Sequence, residues 1–157
     1  MKAIHSMIAA LGLAFVLAAP ANAGVNDPEV IIYRFPGVRD DGGAAGVGIA
    51  TVFHCSNFSG VQENIRFVTR TFNTTLLTNQ SFPINHLATV TAATHLVASY
   101  VVIPSLNTNV VNQGMTTIAA TSTNIVCNAV TIDASAVFPN GVALRGIRFS
   151  PVPGSEE

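Results

Sequence analysis

Val47-Gly48-Ile49-Ala50-Thr51-Val52-Phe53-His54-Cys55 is the stretch that decides the fold. Val47, Ile49, Thr51, Phe53 and Cys55 fall at alternate positions, the period of a strand with one face turned into a core. Gly48 and Ala50, with Gly46 just before them, leave the opposite face small enough for another piece of chain to pack closely on it. The stretch also carries one of only two cysteines in the 157 residues. The other, Cys127, lies within 124–133, a second run rich in strand-forming residues.

The same pattern spreads in both directions. Residues 30–35 are strand formers ended by Pro36-Gly37. Arg39-Asp40-Asp41-Gly42-Gly43 reads as a loop, because paired acids and paired glycines favour turns. In 65–72, Ile65, Phe67, Thr69 and Thr71 share one face, while Arg66, Val68, Arg70 and Phe72 share the other. Two arginines make the second face the wetter one.

Phe82-Pro83-Ile84 reads as a break, since proline cannot donate to a ladder. Residues 88–93 alternate and are expected as strand, and 96–103 as another, stopped by Pro104. Residues 116–120 and 124–133 read as a hairpin through the polar turn Thr121-Ser122-Thr123-Asn124. Pro139-Asn140-Gly141 then turns the chain into a last strand over 142–149. About seven to eight short strands, with few helix signals, predict an all-β antiparallel sandwich or barrel.

The first 23 residues carry the pattern of an export signal: Lys2, an apolar run over 7–19, and Ala21-Asn22-Ala23 with small residues where signal peptidase cuts. That run is short of the roughly 20 residues a bilayer-crossing helix needs. Cleavage leaves 24–157 as one domain, with an ordered core over 29–150 and a polar tail over 151–157. The expected location is secreted or periplasmic, with no membrane span after signal cleavage.

Charge narrows the functional classes. Charged residues make up 10% of the chain, against about 25% in typical soluble domains. Beyond the signal, six arginines face eight acids, which leaves −2. No basic field exists to gather phosphates, so a nucleic-acid partner lacks its main electrostatic attraction. The surface must instead be covered by Thr, Asn and Ser, which protects strand edges poorly against association.

In an oxidising compartment two cysteines on two apolar strands pair, so a Cys55–Cys127 disulfide is expected. An early strand tied to a late one in a chain of this size resembles the immunoglobulin-type sandwich in architecture, and a fibronectin-like sandwich fits nearly as well. The sequence departs from the true immunoglobulin pattern, having no Trp and carrying Ile125 where a corner Tyr is expected.

Chemistry-bearing residues are sparse. His54, His86, His95, Cys55, Cys127 and Met115 supply the residue types of a blue-copper centre, but no His or Met closely follows Cys127. The three histidines lack a short-spaced zinc motif, although His86 and His95 meet if the chain between them doubles back. Asp40 and Asp41, helped by Glu29 or Asp133, are calcium candidates without the regular ligand alternation of a dedicated loop.

Ser56, Ser59, Glu63 and Asp133 assemble no nucleophilic triad or carboxylate pair in sequence. Asn57, Asn73 and Asn79 open glycosylation-type triplets, which matter only in a eukaryotic secretory route. The expectation is an exported, non-catalytic module with a surface, adhesion or assembly role, no cofactor, and protein or cell-surface partners. The alternative is a small periplasmic ligand- or metal-binding protein using His86 and His95.

Overall fold

A computed structural model describes residues 24–149; the export-signal pattern and the polar tail lie outside them. The described residues form nine strands and no helix: β1 (Val30–Asp40), β2 (Ile49–Asn57), β3 (Glu63–Thr71), β4 (Leu76–Ile84), β5 (Thr89–Ala93), β6 (Val111–Ala120), β7 (Ile125–Asp133), β8 (Gly141–Leu144) and β9 (Ile147–Arg148). They make two antiparallel sheets, one ordered β4-β3-β6-β1-β9 and the other β5-β2-β7-β8. The fold is a β-sandwich.

The alternation read in the sequence sets the core. Phe53 and Cys55 of β2, Ile65 and Phe67 of β3, Ile118 and Ala120 of β6, and Ile125, Cys127 and Ala129 of β7 point between the sheets. Phe53 links the two layers through an edge-on contact with Phe35 and a tilted one with Phe67, at ring-centroid distances of 5.8 and 5.9 Å. Such aromatic pairs add about 1 kcal/mol beyond their burial. The small face of β2 is also used as its composition suggested. Ala50 and Val52 form a second cluster with Ala93, Val97, Ile132 and Ala134, roofed by the chain that follows β5.

Cys55 and Cys127 are bonded, with Cα atoms 4.1 Å apart. They are direct partners in the β2–β7 ladder. The bridge therefore joins neighbouring strands of one sheet, whereas the immunoglobulin bridge spans the two facing sheets.

Several local expectations are corrected. β1 does not stop at Pro36-Gly37: Gly37 takes φ +83°, the register shifts there, and the strand continues to Asp40. That left-handed backbone is a bulge, which glycine adopts without steric cost. Arg39 and Asp40 thus belong to a strand and not to the loop.

β4 runs straight through Phe82-Pro83-Ile84, because it is an edge strand and Pro83 needs no partner on its open side. Residues 96–103 form no strand; they cover the outer face of the four-stranded sheet, touching it by the isolated bridge Thr91–Ile103. β6 and β7 are no hairpin, since the Thr121–Asn124 turn carries the chain from one sheet to the other. Residues 142–149 are split between the sheets as β8 and β9, with Arg145-Gly146 crossing between them.

Candidate functional site

Two candidate groups that the sequence kept apart come together at one end of the sandwich. Asp40 ends β1, Asp41 follows it, and His95 lies just beyond the end of β5. Their ligand atoms lie within 4.8 Å of one another, the one such group of three among the described residues. Asp40 and His95 are buried while Asp41 is exposed.

The sequence folds this way because β1, in the facing sheet, and β5, beside β2, both end near Thr51 at the start of β2. The hydroxyl of Thr51 donates to the Arg39 carbonyl and accepts from the Arg39 N–H. Thr94 closes the other side, its N–H donating to the Thr51 carbonyl and its hydroxyl accepting from the Thr51 N–H. Gly48 (φ +80°) is required here, since a Cβ on it would overlap the Asp41 carboxylate.

The cluster is closed on itself. His95 Nε2 lies 3.0 Å from the Val47 carbonyl oxygen, and Nδ1 lies 2.8 Å from Asp40 Oδ2. Asp40 Oδ1 accepts from the Gly42 N–H. Asp41 accepts from the N–H groups of Gly43 and Ile49. All four carboxylate oxygens and both ring nitrogens have partners within the chain. The arrangement can fasten β1, β2 and the post-β5 segment together. Asp40→Asn is expected to lower stability by about 2 kcal/mol, because it exchanges a charge-assisted contact in a buried site for a weaker one. Urea midpoints of the two proteins check this, and equal midpoints reject the fastening role.

The other candidates lie elsewhere. His86 is exposed and its Nδ1 accepts from the Gly60 N–H. It precedes β5 and His95 follows it, so a strand of five residues separates them, roughly 13 Å of rise. The pairing of His86 with His95 is not formed.

His54 lies on the outer face of β2, its Nδ1 3.0 Å from the Thr91 hydroxyl and its ring edge-on to Tyr100 at 4.8 Å. The copper donor set is dispersed, and both sulfurs of its cysteines are in the disulfide. Glu29 pairs with Arg66, far from the Asp40–Asp41 corner in register.

Glu63 and Asp133 sit toward opposite ends of the sandwich. Glu63 is buried, accepts from the Thr121 hydroxyl at Oε2, and has no hydrogen-bond partner at Oε1. Asp133 is exposed at the end of β7. The hydroxyl and N–H of Ser135 hold its carboxyl below the ordinary carboxylate value. Ser56 bonds the Thr89 hydroxyl at 2.7 Å, and Ser59 donates to the Val61 carbonyl. Asn57 is buried, its amide donating to Val61 and Ile84, so its triplet offers no glycosylation acceptor.

Burial lowers the His54 imidazole from its ordinary 6.5. With the folded value below the unfolded one, the unfolded state takes up the extra proton between the two values. Stability is then lost as pH falls through about 6.5 and below. His54→Gln is expected to flatten the fall in urea midpoint between pH 7.5 and 5.5; an unchanged slope removes His54 as its source. Asp133, with its lowered carboxyl, acts only at more acid pH.

A groove of about 530 Å³ runs between β1 and β8, its lining mostly apolar and including Arg39, Asp133 and Asn140. None of the three histidines lines it. No sequence signal pointed to this groove, because its walls come from strands far apart in the chain. Comparison with protein-family models, curated proteins and solved structures gives no match.

Proposed function

We propose that this chain is an exported, non-catalytic β-sandwich module that works through the edges of its sheets in a surface or assembly role. The observation that carries this reading is β4. It is a nine-residue edge strand, Leu76-Leu77-Thr78-Asn79-Gln80-Ser81-Phe82-Pro83-Ile84, with no charged side chain. Monomeric proteins usually blunt such an edge with charges, proline, extreme shortness or cover, and of these β4 has only Pro83, next to its last residue.

Export is supported by the signal pattern of 1–23 and by a disulfide, which persists in oxidising compartments. No helix among the described residues is long and apolar enough to cross a membrane. Ser56, Ser59 and Asp133, the hydroxyl and carboxyl groups weighed for catalysis together with Glu63, are held in hydrogen bonds within the fold.

The test is size-exclusion chromatography with light scattering on the exported, oxidised protein, together with binding to glycan and protein arrays. Association with itself or with an arrayed partner is the expected result. A strict monomer that retains nothing overturns the reading.

A further inference from the structure

We propose that the open edge of β4 pairs antiparallel with β4 of a second copy of this chain, an inference that rests on the assembly reading above and names its partner.

Hydrogen-bond accounting singles out this edge. The β5 edge is capped by the bridges Thr91–Ile103 and Ala93–Ser105. On the other side of the sandwich, β8 is only four residues long and β9 covers part of β1. The Arg39 N–H and carbonyl, farther along β1, are both taken by the Thr51 hydroxyl. Among the described residues, β4 has β3 on one side and no strand on the other.

The ladder tells which of its groups are open. Asn64 of β3 turns its N–H and carbonyl toward Thr121, away from β4. By strict alternation Ile65 and Phe67 turn theirs toward β4, where they meet Phe82 and Gln80. Asn79 and Ser81 therefore direct their backbone donors and acceptors outward. Pro83 has the same parity, and a residue without an N–H is tolerated on an open side. Gln80 is held inward, its amide donating to the Leu106 carbonyl and the Thr78 hydroxyl.

A strand of the same sequence fits this edge. A two-fold axis at Gln80 sets Asn79 of one copy opposite Ser81 of the other. Each such pair exchanges two backbone hydrogen bonds, and the arrangement is reciprocal and closed. Pro83 of each copy then lies opposite Leu77 of the other, and its missing N–H removes one bond from each of these two pairs.

β4 brings no charge to the axis, and Arg66 of the adjacent strand is already paired with Glu29, so no like charges meet there. A foreign strand would have to be selected by charge or by side-chain pockets, and this edge offers no charge to select it. Two five-stranded sheets would become one of ten strands.

The test uses the exported, oxidised protein and two variants. Asn79→Pro deletes an N–H that the fold leaves open, and Ser81→Lys adds a cation at an exposed position. Light scattering across a concentration series is expected to give twice the chain mass for the parent and the single-chain mass for both variants. Their melting temperatures should stay within a few degrees of the parent. A parent that stays at single-chain mass overturns the pairing, and if it still binds an arrayed partner the assembly reading survives. A doubled mass that persists in both folded variants also overturns it, because another surface then joins the copies.

Discussion

Ile65→Asp is expected to remove at least about 4 kcal/mol of stability, while its neighbour Arg66→Ala removes less than about 1 kcal/mol. Ile65 is fully buried on β3, between Phe82 of β4 and Ala120 of β6. An aspartate there forfeits the burial of the isoleucine, worth about 2 kcal/mol or more. It also sets a carboxylate among apolar side chains with no donor placed to meet it. Arg66 points to the opposite face, partly exposed, and its ion pair with Glu29 is of the weakly stabilising surface kind. Set against the roughly 5–15 kcal/mol that holds a domain folded, the first change unfolds much of the population at room temperature. Urea denaturation of both variants decides the matter. Equal costs would shift the β3 register by one residue and exchange its two faces.

That prediction follows from sequence alone, which shows where the fold was legible. The alternation of β2 and β3 could be read because each has one face in a core, and a period of two has no other economical explanation there. The Arg66 and Arg70 pair settled which β3 face was wet. β4 was hidden because its solvent side and its inward side both carry polar groups, Asn79 and Ser81 outside and Thr78 and Gln80 inside. Pro83, read as a break, marks an open edge instead.

Residues 96–103 misled in the opposite sense. Val97 and Val102 are apolar because they roof the outer face of a sheet, and burial on a sheet face needs no strand. The β6–β7 turn has hairpin composition, yet local sequence does not encode whether the chain returns in the same sheet or crosses to the other.

The Asp40–His95 contact spans 55 residues and left no local trace. Asp40 was grouped with Asp41 because they are adjacent, although alternation along β1 buries one and exposes the other. His95 was grouped with His86 by residue type. Only the convergence of the ends of β1 and β5 on β2, through Thr51 and Thr94, brings the acid to the imidazole. The disulfide was the readable exception among long-range contacts, since two cysteines allow a single pairing.

Cys127→Ala is expected to lower stability by about 4 kcal/mol and the melting temperature by roughly 15 °C. The bridge closes a separation of 72 residues, and most of its contribution is the entropy that this closure removes from the unfolded chain. Its place in the ladder determines what remains without it. β2 and β7 are paired without interruption from Ile49–Asp133 to Asn57–Ile125, and Cys55–Cys127 is one rung among them. The variant should therefore keep the native sheet at low temperature while the chain must find that ladder unaided. Refolding is expected to slow along with the loss of stability, since the unbridged pairing is strongly non-local.

Cys55 becomes a thiol that is buried in the native variant, because its side chain lies wholly within the core. Thiol titration should then find one group after denaturation and none before it. A melting temperature equal to the parent's, or two thiols titrating in the native parent, would remove the disulfide from the stability of this sandwich. A stable variant lacking the β2–β7 ladder would instead show that the bridge, and not strand pairing, holds those two strands together.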